Sequence, residues 1–166
     1  CLGEYSYRKD EFMKKGIILS MLSIFLLSGC GNNKEVLVTK CVSSQNNLQA
    51  GYTLKSEYTI YSQKGTVNKV ESIETITSTS ESILDYFENF LTTNYEQANK
   101  TYGGYTNKIV KNDDGLVSKT TIDYKSMDME KYVEDNSVMK NYVNNKNELT
   151  LEGIKAAYKS LGATCE

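Results

Sequence analysis

The stretch YTLKSEYTIYSQKGTVNKVESIETIT, Tyr52 to Thr77, sets the architecture of the chain. Tyr52, Leu54, Tyr58 and Ile60 recur at every second place, with Thr53, Lys55, Glu57 and Thr59 between them, which is the period of a half-buried β-strand. Lys64-Gly65 then interrupts the pattern as a two-residue hairpin turn, since glycine accepts positive φ without a Cβ clash. Thr66 to Thr77 follows as the returning strand. Its Val67, Val70, Ile73 and Ile76 stand three apart, a helical spacing, but the Thr and β-branched content favours a strand interrupted by a bulge.

Working outward, Val36, Leu37, Val38 and Val42 predict an earlier strand over Glu35 to Val42, ending in a polar turn from Ser43 to Asn47. On the other side, Ser78 and Glu81 have the spacing of a capping box. Behind them Ile83, Leu84, Phe87, Phe90, Leu91 and Ala98 keep helical period to about Lys100, and Gly103-Gly104 stops the helix. Tyr105 to Lys111 and Leu116 to Tyr124 read as two more strands, joined by the Asn112-Asp113-Asp114-Gly115 turn. Ser126 is expected to cap a short helix through Met129, Tyr132 and Val133, followed by a polar stretch from Asn141 to Asn147. Thr150 opens a last helix with Leu151, Ile154, Ala157, Tyr158 and Leu161 as its apolar stripe and Gly162 as its stop. The order βββαββαα predicts an α+β domain: an antiparallel sheet of about five strands with helices on one face.

Upstream of the domain the character of the chain changes. Met13, Lys14 and Lys15 lead into an apolar run from Gly16 to Leu27, which ends at Leu27-Ser28-Gly29-Cys30. A basic start, an apolar middle too short to span a bilayer and small residues at the end form a secretory leader, expected to be a lipoprotein signal peptide over residues 13–29. The Ser28-Gly29-Cys30 ending resembles a lipobox, which implies cleavage between Gly29 and Cys30 and diacylation, palmitate-type, of Cys30. Each buried methylene adds about 0.8 kcal/mol, and two chains hold a domain that one holds only marginally. Residues 1–12 carry Glu4, Asp10 and Glu11 ahead of the basic start and are expected to be a non-native extension. Residues 30–34 form a short tether and residues 35–166 a single domain.

An exported domain lives where disulfides persist, so Cys41 and Cys165, an even pair, are expected to bridge; two buried free thiols are the alternative. The chain has 19 Lys plus Arg against 21 Asp plus Glu, with neither sign in a long run, which argues against nucleic-acid binding. It contains no His, so Ser-His-Asp and Cys-His sites are impossible and tetrahedral zinc is disfavoured. Asn112 to Gly115 lacks the alternating ligands and distant Glu of a calcium loop. No metal or other cofactor is expected. Glu57, Glu71, Glu74, Asp123 and Asp128 are the carboxylates that a glycosidase-like pair would draw on, but acids interleaved on a strand are ordinarily a solvated face. The tyrosines, 13 in the chain, suit a sugar or peptide platform or plain half-buried strand positions.

The Leu27 to Cys30 ending, the Tyr/Thr-rich paired strands from Tyr52 to Thr77, and the final amphipathic helix running into Gly162-Ala163-Thr164-Cys165 together resemble the YehR-like family of small bacterial lipoproteins, whose members are largely of unknown function. The resemblance covers the mature chain. It implies a compact α+β domain on the outer face of the membrane and supplies no catalytic residues. The expected function is therefore a membrane-anchored, non-enzymatic binding or structural domain in the cell envelope, with an envelope protein or glycan as partner. The alternatives are a carboxylate-dependent surface hydrolase and a small-ligand carrier.

Overall fold

A computed structural model describes residues 35–113 and 115–166. The signal peptide, the Gly29-Cys30 cleavage site and the Cys30 anchor lie outside the described residues, as does Asp114 of the expected turn.

Among the described residues, nine regular elements follow in order: β1 (Leu37–Asn47), β2 (Tyr52–Gln63), β3 (Thr66–Thr77), α1 (Glu81–Tyr102), β4 (Tyr105–Asn112), β5 (Gly115–Asp123), α2 (Met129–Asp135), α3 (Leu151–Ser160) and β6 (Thr164–Cys165). Two single-turn 3₁₀ segments, Leu48–Ala50 and Ser137–Asn141, serve as connectors. The strands form one antiparallel sheet in the order β4-β5-β3-β2-β1-β6. The expected α+β class and the βββαββαα order are both present. The sixth strand is an addition: two residues are too short to show any period, and they become a strand only by pairing Cys165 with Cys41 and Thr164 with Val42.

The central hairpin turns as its sequence requires. Lys64 and Gly65 have φ of 53° and 80°, positive at both central residues, which matches the twist of the flanking strands. A register shift follows at once: Tyr61 faces Lys69 and Ser62 faces Val67, so Asn68 is the extra residue of a bulge in β3. The bulge resolves the three-residue spacing. Val67 and Val70 both turn inward across it, whereas Ile73 faces out and Ile76 faces in under ordinary alternation.

Three local expectations are corrected. β1 runs from Leu37 to Asn47 instead of Glu35 to Val42, because pairing with β2 continues to Asn47 opposite Tyr52 and carries the polar residues into the ladder. The capping box at Ser78 and Glu81 does not form. Ser78 is still in the chain leaving β3, where its hydroxyl donates to Gly51 O at 2.8 Å and accepts from Ser80 N at 3.1 Å, and Ser80 is the residue at the helix start. Asp128, not Ser126, caps α2, accepting from Lys131 N at 3.0 Å, while the Ser126 hydroxyl donates to Asp123 O. Thr150 caps α3 as expected, accepting from Gly153 N at 3.0 Å.

Both long helices cover the same face of the sheet, and two apolar clusters lie beneath them. One joins Cys41, Ile60, Val67 and Val70 to Leu151 and Ile154 of α3; the other joins Ile76 and Leu116 to Leu84 and Leu91 of α1. Across the covered face, the register aligns Ser43, Ser56, Glu74 and Ser118 in one row and Cys41, Tyr58, Ser72, Thr120 and Asn107 in the next. The middle of this face is therefore mostly polar. Its hydroxyls are nevertheless buried, Ser118 and Thr120 at 0% and 2% exposure, and no buried side-chain polar atom among the described residues lacks a partner.

Candidate functional site

The polar rows end in a groove between α1 and β4. On α1, Glu88, Thr92, Tyr95, Glu96 and Asn99 fall at i, i+4, i+7, i+8 and i+11, one side of a helix, and on β4, Tyr105, Asn107 and Ile109 alternate along one strand face. These residues enclose about 360 Å³. Because β4 is the outermost strand, no further strand among the described residues closes the groove on that side.

Hydrogen bonds fix its walls. Asn107 Nδ2 donates to Thr120 Oγ1 at 2.7 Å and Ser118 Oγ at 2.9 Å, tying the edge strand to the polar rows. Asn99 Oδ1 accepts from Tyr105 N at 3.1 Å, so the end of α1 holds the start of β4. The connection between them is tight: Gly103 and Gly104 both have positive φ, and a Cβ on Gly104 would lie 2.6 Å from Asp123 O. The Tyr95 and Tyr105 ring centroids are 6.3 Å apart at 40°.

Beneath the groove, the Tyr95 hydroxyl donates to Glu74 Oε2 at 3.2 Å. Burial pushes the Glu74 carboxyl above its ordinary pKa, and the Tyr95 hydrogen bond only partly opposes this. Desolvation raises the phenols of Tyr58, Tyr95, Tyr105, Tyr124, Tyr132 and Tyr158 as well. Tyr58 and Tyr158 stack at 4.0 Å, which docks α3 on β2 beside the first cluster. Among the tyrosine alternatives, half-buried packing thus accounts for most of the rings, and Tyr95 and Tyr105 are the two that line the groove.

The five carboxylates picked out from sequence do not converge. Glu57 and Glu71 face away from the helices on the open side of the sheet, where Glu71 accepts from Lys69 Nζ at 2.7 Å and the Tyr61 hydroxyl at 2.8 Å. The Lys69 bond, followed by the Tyr61 bond, holds the Glu71 carboxyl below its ordinary range. Asp123 accepts from Lys125 N in a turn and Asp128 caps a helix, which leaves Glu74 as the one of the five under the helices. The groove residues Glu88, Glu96, Asn99 and Asn107 escape sequence reasoning. Their signal is the coincidence of a polar helical stripe with a polar alternate face on the next strand.

Cys41 and Cys165 stand with their sulfurs 2.01 Å apart, across a sequence separation of 124. Lys40 and Glu166 exchange backbone hydrogen bonds beside them, 3.2 and 2.8 Å. Among the described residues, no group of three or more Cys, Asp or Glu is placed to hold a metal ion, and no helix is long and apolar enough to cross a membrane.

No protein-family model and no curated protein matches the chain. Solved structures do. The NMR structure of the Escherichia coli YehR protein superposes with a TM-score of 0.53 at 15% identity, covering 80% of this chain and 92% of that one. An NMR structure of a protein from Streptococcus pneumoniae TIGR4 superposes with a TM-score of 0.49 at 13% identity, covering 82% and 88%. The chain shares the YehR fold, as the resemblance in its sequence implied; at this identity the likeness speaks to fold alone.

Proposed function

We propose that the chain is a bacterial lipoprotein, anchored through Cys30, whose domain acts on the extracytoplasmic face of the cell membrane as a non-enzymatic binding module. The observation that carries this reading is the Cys41–Cys165 pair at bonding distance, which joins the first strand to the last and suits an oxidising compartment. It agrees with the basic start, short apolar run and Leu27-Ser28-Gly29-Cys30 ending of the leader. The groove between α1 and β4 gives such a module a concave, polar place to hold a ligand.

Cell fractionation with metabolic labelling by a palmitate analogue tests the anchor. The wild-type chain is expected in the membrane fraction, labelled and shortened by its leader. Cys30→Ser is expected to lose the label and leave the membrane. A full-length, unlabelled wild-type chain in the cytosol overturns the proposal.

A further inference from the structure

We propose that the groove between α1 and β4 binds an alkylammonium ion, with Glu96 as its counter-charge and Tyr95 and Tyr105 flanking its carbon chain. The groove has the size of a small-molecule site, about 360 Å³. Its lining residues carry carboxylates, amides, a hydroxyl, two phenol rings and Ile109, and no cation. With Glu88 paired to Lys111, an anionic ligand would still meet the Glu96 carboxylate with no lysine among the lining residues, so the charge selects against it.

The two acids are not equivalent. Glu88 is already engaged by Lys111, 3.2 Å from its Oε2, and the same ammonium also pairs with Asp85. The Glu96 side chain has no hydrogen bond or ion pair among the described residues, so a cation arriving there breaks no existing pairing. Glu88 and Glu96 are eight positions apart on α1, about 12 Å at the rise of an α-helix. Between them the groove offers Tyr95 and Ile109, apolar surface for methylene groups, and phenol rings attract an adjacent ammonium. Lys111 binding to Glu88 is itself a precedent: a primary ammonium on an alkyl chain, held by an α1 carboxylate at the end of this groove.

This inference does not rest on the lipid anchor. It is read on purified protein, and anchoring is read on cells, so either can fail alone. Calorimetric titration of the full chain in detergent with spermidine is expected to show saturable binding that weakens as salt rises. Glu96→Gln is expected to weaken it about tenfold, and Tyr105→Leu to weaken it by a smaller factor that Tyr105→Phe restores. Glu57→Gln, on the opposite face of the sheet, is expected to leave binding unchanged, and near-ultraviolet circular dichroism reports whether each variant is folded. Absence of binding at millimolar spermidine, or binding that folded Glu96→Gln leaves intact, overturns the assignment. So does a neutral disaccharide such as maltose that binds where spermidine does not.

Discussion

The Tyr95 hydroxyl of α1 donates to the Glu74 carboxylate of β3 at 3.2 Å, so the longest helix is pinned to the middle of the sheet by a polar contact set between two apolar clusters. Glu74 is mainly desolvated there, and its pKa is raised. A carboxyl that titrates higher in the folded than in the unfolded chain retains its proton longer in the fold. Stability therefore declines as pH rises from the ordinary carboxylate range through the folded pKa. Glu74→Gln removes the charge and keeps an acceptor for Tyr95. The variant is expected to unfold at a higher temperature than wild type at pH 7, with the gap closing as pH falls to the ordinary Glu range. A variant less stable than wild type at neutral pH would show that the charge is needed.

The buried phenols set a limit at the alkaline end. Tyr58, Tyr95, Tyr105, Tyr124, Tyr132 and Tyr158 are all raised above 10.0 by burial. Above that pH the unfolded chain releases protons that the folded chain keeps, so stability falls as pH climbs. Tyrosinate absorbance followed beside circular dichroism is expected to show the buried set ionising only together with unfolding. Smooth titration of every tyrosine with the fold intact would contradict the packing described.

Joining Cys41 to Cys165 closes a loop across a sequence separation of 124. On the chain-entropy estimate a loop of this size is worth about 4 to 5 kcal/mol. The double variant Cys41→Ser/Cys165→Ser is expected to lose several kcal/mol in urea unfolding, and the wild type is expected to lose a similar amount on adding reductant. Equal midpoints with and without reductant would rule the bond out as a source of stability.

Gly153 lies in the first turn of α3, where alanine ordinarily favours a helix by about 1 kcal/mol. A Cβ there would stand 2.4 Å from Tyr142 O and 2.7 Å from Thr150 Oγ1, the atom that caps the helix. Gly153→Ala is therefore expected to destabilise by about 2 kcal/mol or more, reversing the sign of helix propensity. Thermal unfolding of the variant decides it, and an unchanged or higher Tm would count against the contact.

Where local chemistry was decisive, sequence was enough: Thr and β-branched content outweighed the helical spacing of β3, which runs from Thr66 to Thr77, α1 stops before Gly103, and Thr150 caps α3. Misreadings arose where a distant partner overruled local composition. The polar residues Ser43 to Asn47 join β1 because β2 supplies their ladder bonds, and Thr164-Cys165 becomes a strand because β1 does. Ser78 left its cap for Gly51 O, an acceptor 27 positions earlier. The groove was illegible for a related reason: Glu88 and Glu96 gain a facing wall only when β4 is laid beside α1, and nothing in either segment alone announces that pairing.

The clasp between β1 and β6 also governs timing. Cys41 leaves any ribosome or export channel 124 positions ahead of Cys165, and the backbone that pairs with its edge of the sheet arrives only with Thr164 and Cys165. Until then the nascent domain presents a bare, pairing-competent border to its surroundings, a period in which neighbouring chains compete for it. Arrival of β6, rather than collapse of the central hairpin, is the event that shields Lys40 to Val42 of that border.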